Sequence, residues 1–195
     1  MSIPPEVLIE AYATGWFPMA ADRTPDARIE WFSPNPRGIL PLDAARFSSR
    51  LLRTVRQGRF TVTIDRAFER VMRECAAERD DSWINDGILA SYAALHRMGL
   101  AHSVECWAGD DLAGGLYGVS VRGAFFGESM FHRVTDASKV ALHALVERLR
   151  ARQYSLLDVQ WVTPHLATFG AVAIPRRRYL RMLAEALERD CTFIE

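Results

Sequence analysis

Apolar and polar positions change period several times along the chain, and each change marks an element. A helix is expected over residues 2–14, with Ser2 as its N-cap and Pro4 and Pro5 in the first turn, where amide protons lack partners anyway. Residues 16–41 have no period. Trp16, Phe17, Trp31 and Phe32 alternate there with prolines, which reads as an ordered loop region. Residues 44–57 form a basic helix and residues 60–64 alternate as a strand; 66–78 and 87–98 are helical, the second ended by Gly99. Two apolar strands follow, 101–107 and 112–121, joined through the turn at Ala108-Gly109-Asp110-Asp111. Arg122-Gly123 turns the chain into a third strand. Thr135 or Asp136 then caps a long helix to about residue 152, and residues 154–161 are a strand. A short helix over 164–169 closes at Gly170, residues 175–189 are the last helix with proline in its first turn, and 191–194 read as a closing edge strand.

Two of these strands break their own pattern. Phe125-Phe126-Gly127-Glu128-Ser129-Met130-Phe131 holds a carboxylate among aromatic and thioether side chains, and Leu156-Leu157-Asp158-Val159-Gln160-Trp161 repeats the anomaly. A buried carboxylate is expensive unless it is paired or used. Residues two apart on a strand share a face about 7 Å apart, so Asp158 and Gln160 are expected to point the same way. The pattern implies a polar site cut into an apolar pocket; an ion pair would account for either carboxylate alone.

An antiparallel meander followed by a helical crossover permits one parallel strand pair. The order of elements implies an α/β (α+β) domain with a mixed, mainly antiparallel sheet flanked by helices, and it best matches the GNAT-like acyltransferase fold, whose sheet splays open to admit substrate. Residues 1–43 read as a truncated N-terminal lobe and 44–195 as the catalytic domain.

Composition narrows the function classes. The 195 residues, 49% hydrophobic and 25% charged, are those of an ordinary globular chain. No run is long enough to span a membrane, and the N-terminus lacks the basic start and apolar core of a signal peptide, so the cytoplasm is the expected location. Three scattered cysteines argue against a disulfide framework or a structural zinc, and none of the five histidines has a partner at metal-ligand spacing. Net charge is zero, yet Lys139 is the one lysine among 24 basic residues, so any bound anion meets guanidinium groups. There is no phosphate-binding GxxxxGK(S/T) loop, HExxH, GxSxG or GxGxxG. Arg46, Arg50 and Arg53 line up on one face of the expected basic helix; either they are a solvated surface or they contact phosphate.

Eight segments, in order, carry a resemblance: Gly15-Trp16-Phe17-Pro18, Trp31-Phe32-Ser33-Pro34-Asn35-Pro36-Arg37, Ser82-Trp83-Ile84, His102-Ser103-Val104-Glu105, Gly114-Gly115-Leu116-Tyr117-Gly118, Gly127-Glu128-Ser129-Met130-Phe131, Ala137-Ser138-Lys139 and Ile174-Pro175-Arg176-Arg177. Together they resemble the leucyl/phenylalanyl-tRNA–protein transferases. The resemblance implies transfer of Leu or Phe, and less well Met, from aminoacyl-tRNA to the α-amino group of proteins with N-terminal Arg or Lys, which marks them for N-degron degradation, with no metal or cofactor. It implies that Asp158 and Gln160 stand at the acceptor amine, Asp158 either as a base or as a holder of the cationic acceptor. Glu128 would pair with the basic N-terminal residue. Leu116, Phe125, Met130 and Leu145 would receive the aminoacyl side chain by size and apolarity, or simply pack the core. Trp83 either stacks on the terminal adenosine of the tRNA or caps the core. Arg46, Arg50, Arg53, Arg176 and Arg177 are the acceptor-stem candidates. The chain departs from the family at Met19, where a second tryptophan is usual beside the adenosine, and at Leu116 and Phe126.

Two rival classes are weighed. An acyl-CoA N-acetyltransferase needs a pyrophosphate loop opening a helix, and the nearest match, His96-x-x-Gly99-x-Ala101, ends one instead. A non-catalytic RNA-binding adaptor of the same fold would not need Asp158, Gln160 and Glu128 together.

Overall fold

The computed structural model describes residues 2–24, 27–78 and 82–194. A seven-stranded sheet organises the chain, in the order β4 (Thr61–Ile64), β5 (Ala101–Ala108), β6 (Asp111–Val121), β7 (Ala124–His132), β8 (Leu156–Gln160), β3 (Arg37–Ile39) and β9 (Val172–Ile174). Its long members are the meander β5 (Ala101–Ala108), β6 (Asp111–Val121) and β7 (Ala124–His132). β4 (Thr61–Ile64) pairs antiparallel with β5. Helix α5 (Ala137–Ala151) carries the chain from the end of β7 back to β8 (Leu156–Gln160), so β7 and β8 are parallel, while every other pair in the sheet is antiparallel. The expected mixed, mainly antiparallel α/β architecture is therefore what the chain adopts.

Two apolar layers cover the sheet. One is built from α1 (Pro5–Ala13), α3 (Phe68–Ala77), α4 (Asp86–Arg97) and α6 (Arg176–Leu187), with Leu8, Tyr12, Met72, Tyr92 and Tyr179 buried against β6 and β7. The other is built from α2 (Ser49–Arg56) and α5, with Leu51, Leu142, Leu145 and Leu149 against Phe125 and Leu157. Several local choices explain the boundaries. Asn85 caps α4 by accepting from the Ile88 amide, and Ser48 caps α2 through the Leu51 amide. The buried Glu105 of β5 accepts from the Arg66 and Ala67 amides just ahead of α3, a carboxylate at a helix N-terminus.

The structure corrects four expectations. Ser2 is not the cap of α1; Pro4 holds that position and no side chain caps it. The basic helix begins at Ser49, so Arg46 lies before it and shares no helical face with Arg50 and Arg53. Residues 191–194 form no strand. Phe193 instead plugs the second layer, stacked 4.4 Å from the His102 ring and 5.1 Å from Phe125. The proline-rich stretch is also more regular than its sequence suggests. β1 (Phe17–Ala20) and β2 (Ile29–Phe32) form a two-stranded ribbon, and β3 (Arg37–Ile39) enters the large sheet between β8 and β9 (Val172–Ile174). β3 comes from the segment read as an N-terminal lobe, so lobe and body share one sheet.

Candidate active site

Parallel pairing between β7 and β8 runs only from Ala124↔Leu156 to Phe126↔Asp158, although β7 continues to His132. Beyond that point both strands are irregular. On β7, Gly127 faces Gly118 and Ser129 faces Tyr117, so Glu128 is an extra residue. Such a bulge bends a strand and re-aims the side chain it carries. Gly118 of β6 is needed opposite it, because a Cβ there would run into the Phe126 carbonyl oxygen and the Phe125 ring. On β8, Asp158 faces Ile39 and Gln160 faces Gly38, which leaves Val159 unmatched. Gln160 then takes a φ of +57°, and the Trp161 amide turns back onto the Val159 carbonyl at 2.6 Å. A non-glycine residue in that region stores about 1–2 kcal/mol. Gly38 allows the turn: a Cβ there would stand 2.7 Å from the Trp161 carbonyl carbon.

A cavity of about 620 Å³ fills the gap so opened. Gly127, Glu128, Ser129 and Met130 line it from β7, and Leu157, Val159 and Gln160 from β8. It has two characters. Leu116, Met130, Leu142, Leu145, Leu157 and Leu166 form an apolar compartment that belongs to the α5 layer. Phe17, Met19, Trp83 and Tyr117 belong to the opposite layer and flank the Glu128 end. Trp161, 44% exposed, stands at the edge with Phe17 at 5.2 Å and Phe32 at 6.1 Å, both edge-on.

Glu128 is half-buried: protein surrounds it, and the cavity leaves part of it accessible. Its Oε1 accepts from the Tyr12 hydroxyl at 2.7 Å and from Gln160 Nε2 at 3.3 Å, and Oε2 accepts from the Tyr92 hydroxyl at 3.3 Å. The two tyrosine oxygens are 2.5 Å apart. Burial pushes the Glu128 carboxyl up to about 8; the hydrogen bond from Tyr12 opposes the rise, the charge of Asp158 adds to it, and Tyr92 and Arg37 oppose it. An added cation would be received by a group poised to ionise near neutral pH.

Asp158 is differently placed. It is fully buried and is not among the residues lining the cavity. Arg37, also fully buried, grips it from β3: Nε lies 3.0 and 3.2 Å from the two carboxylate oxygens and Nη2 lies 2.7 Å from Oδ2. The Tyr179 hydroxyl donates to Oδ2 at 2.7 Å, and the Gln160 amide to Oδ1 at 2.9 Å. Arg37 also donates to the Gly15 carbonyl at 2.9 Å and lies 4.9 Å over the Phe17 ring and 4.6 Å over Tyr179. Asp158 and Gln160 therefore do not point the same way as expected, because of the turn at Gln160: the carboxylate is held at the strand end, and the amide faces the cavity.

Of the residues singled out from sequence, Leu116, Met130, Leu145, Glu128, Gln160 and Trp83 meet around this one cavity. Phe125 does not. It is fully buried and stacks on Phe193, so it fills the core behind the cavity. Arg46, Arg50, Arg53, Arg176 and Arg177 are exposed on the surface. Arg50 reaches Asp136 at 3.1 Å, and Arg176 and Arg177 flank a shallow groove with Asn35 and Arg181. Tyr12, Tyr92, Arg37 and Tyr179 escaped sequence reasoning. The tyrosines look like core positions on helical faces, and Arg37 looks like one more surface cation. No group of three or more metal-ligating side chains occurs among the described residues.

Comparison with known proteins agrees with the resemblance in sequence. A family model described as "Leucyl/phenylalanyl-tRNA protein transferase" matches residues 39–184, and one described as its N-terminal domain matches residues 1–35. A curated relative from Afipia carboxidovorans, named leucyl/phenylalanyl-tRNA–protein transferase, is 56% identical over 189 residues, which cover 95% of this chain and 83% of that one. A relative of the same name from Gloeobacter violaceus is 51% identical over 193 residues, covering 99% of this chain and 98% of that one. Among solved structures, L-PGS from Bacillus licheniformis overlaps 84% of this chain and 54% of its own, with 12% identity and a TM-score of 0.43. With family models over 39–184 and 1–35 and relatives more than half identical across nearly its whole length, the chain belongs to the leucyl/phenylalanyl-tRNA protein transferase family.

Proposed function

We propose that this aminoacyltransferase moves Leu or Phe, and less well Met, from aminoacyl-tRNA to the α-amino group of proteins beginning with Arg or Lys, in the cytoplasm and on a GNAT-like scaffold, so marking them for N-degron degradation. One observation carries the reading: a carboxyl group bulged out of β7 stands at one end of a cavity whose other end is lined by Leu116, Met130, Leu142, Leu145 and Leu157. The two ends suit the two substrates.

The apolar compartment of Leu116, Met130, Leu145 and Leu157 takes the aminoacyl side chain. It offers size and apolarity and little else, so Leu, Phe and Met are tolerated together. Glu128 takes the basic side chain of the acceptor; a cation beside it favours the ionised carboxyl and yields a charge-assisted pair. The acceptor α-ammonium first gives up a proton. Its nitrogen lone pair then attacks the ester carbonyl carbon, the C–N bond forms, the C–O bond to the ribose breaks, and the nitrogen's second proton passes to the released ribose oxygen. Gln160 lines the cavity while donating to Glu128, which leaves its amide oxygen for the attacking amine. Asp158 works indirectly, as a positioning residue that fixes the Gln160 backbone through Oδ1. Phe125 supports the pocket from behind. Trp83, half-buried and lining the cavity, offers its face to the terminal adenosine. Arg46, Arg50, Arg53, Arg176 and Arg177 contact the RNA backbone as exposed guanidinium groups.

The test is transfer of labelled leucine from charged tRNA to a peptide beginning with Arg, beside the same peptide beginning with Ala. Incorporation on the Arg peptide alone is expected. Equal incorporation on both would overturn the acceptor rule, and binding of charged tRNA with no incorporation would favour an adaptor that has kept the fold without the reaction.

A further inference from the structure

The fold already holds one guanidinium between a carboxylate and aromatic rings. Arg37 pairs with Asp158 and lies over Phe17 at 4.9 Å and over Tyr179 at 4.6 Å. The cavity wall carries the same two kinds of group. Its carboxyl is Glu128, whose hydrogen bonds come from Tyr12, Tyr92 and Gln160, all uncharged donors. Its ring is Trp161, which follows Gln160 in the chain, lines the cavity and is 44% exposed. Phe17 and Phe32 pack edge-on with the indole, which fixes its direction at the rim. The other phenylalanine, tyrosine and tryptophan rings on the wall are less available. Phe17 and Tyr117 are buried, and Phe17 already carries Arg37. Trp83 is half-buried and is taken up by the adenosine in the reading above.

We propose that the indole of Trp161 receives the basic side chain of the acceptor's first residue and, with Glu128, selects it. This deepens the reading of the site given above and rests on it. A guanidinium is planar and weakly hydrated, so it stacks on an indole while its N–H fork reaches a carboxylate. An ammonium is compact and strongly hydrated, and it gains less from the ring. Glu128 reads the charge and Trp161 reads the shape, so the pair ranks Arg above Lys. A nucleobase is the other flat partner that an exposed indole takes. The chain position favours the acceptor: the residue before Trp161 is the one whose amide donates to Glu128, which places the ring beside the group that meets the basic side chain.

Trp161→Leu keeps an apolar side chain and removes the ring; Trp161→Phe keeps a smaller ring. In the full chain, Trp161→Leu is expected to raise KM about fivefold for a peptide beginning with Arg and about twofold for one beginning with Lys, the range of a cation–π contact at a partly exposed site. Trp161→Phe should recover part of the loss, and the Kd for charged tRNA should stay within twofold in both. An unchanged KM for the Arg peptide overturns the proposal, as does a rise shared equally by the Arg and Lys peptides. So does a rise that Trp161→Phe shows in full, since the loss would then be one of fit alone. Weaker binding of charged tRNA with peptide KM unchanged overturns it in favour of a nucleobase on the indole. Should Trp161→Leu fail to fold, Trp161→Phe decides: a KM raised for the Arg peptide supports the proposal and an unchanged one overturns it. Should the unsubstituted chain transfer nothing, the reading of the site fails separately. Equilibrium binding of the Arg peptide is then the test: weaker binding by Trp161→Leu supports the proposal, and equal binding overturns it.

Discussion

Removing Asp158 should destabilise this protein before it reveals anything about proton transfer. The carboxylate is wholly buried and receives three contacts from Arg37, one from the Tyr179 hydroxyl and one from the Gln160 amide. Asp158→Ala strands the Arg37 guanidinium, itself fully buried, with only the Gly15 carbonyl and two aromatic faces for company. Breaking one side of a buried ion pair costs about 3–5 kcal/mol. For a chain of this length each kcal/mol lowers the melting temperature by about 2–4 °C, so a drop of roughly 6–20 °C is expected. Urea unfolding measures the loss directly. The double variant Arg37→Met/Asp158→Leu leaves no charge uncompensated and should lose clearly less than the sum of the two single variants. Asp158→Asn should retain part of the activity and keep every ionisation of the pH–rate profile, with that of Glu128 moved downward because the charge of Asp158 no longer raises it. A loss below 1 kcal/mol in Asp158→Ala, or an Asp158→Asn profile that has lost an ionisation, would refute this and restore Asp158 as a base.

Four further outcomes follow from other parts of the structure. Glu128 is protonated below about pH 8 in the free protein, so KM for an Arg peptide should fall as pH rises toward 8 and then level off; a KM flat from pH 6 to 9 would contradict the assignment. The same raised value works against the fold. It is above the ordinary carboxyl value, so its contribution is fully present below the unfolded pKa and is lost as pH climbs through about 8, and Glu128→Gln should flatten urea stability across that window. Met130→Trp narrows the apolar compartment and should reduce phenylalanyl transfer more than leucyl transfer in a competition between the two charged tRNAs. Arg53→Ala and Arg177→Ala, both exposed, should each lower the slope of log affinity against log salt for tRNA by about 1 while leaving peptide KM unchanged; an unchanged slope would place those arginines off the RNA path.

Much of the site was legible because its chemistry contradicts its setting. Glu128 stood out as a carboxylate in an aromatic strand, and Asp158 as a carboxylate in an aliphatic one; the first is half-buried at the cavity and the second fully buried. What period and composition could not separate was their use. The lengths and residue types of the strands are alike, and only the bulge at Glu128 and the turn at Gln160 send one carboxylate to the cavity and the other to Arg37. β3 is three residues long, too short for alternation to register, and its neighbours are prolines and aromatics; it is recruited by hydrogen bonds to β8 and β9 rather than by its own pattern. The tail at residues 191–194 showed strand-like composition, but Phe193 does more as a plug between His102 and Phe125 than as an edge. Tyr12 and Tyr92 sit on helical apolar faces, and no period distinguishes a core tyrosine from one whose hydroxyl meets a distant carboxylate.

The central claim is that the Glu128 carboxylate reads the positive charge of the acceptor, and Glu128→Gln tests it most directly. The amide keeps the shape and removes the charge. The account predicts that kcat/KM for an Arg-initiated peptide falls at least tenfold while the Kd for charged tRNA stays within twofold, the gap between a charge-assisted and a neutral hydrogen bond. Equal losses for peptide and tRNA, or no loss for either, would contradict it and leave Glu128 as a structural carboxyl.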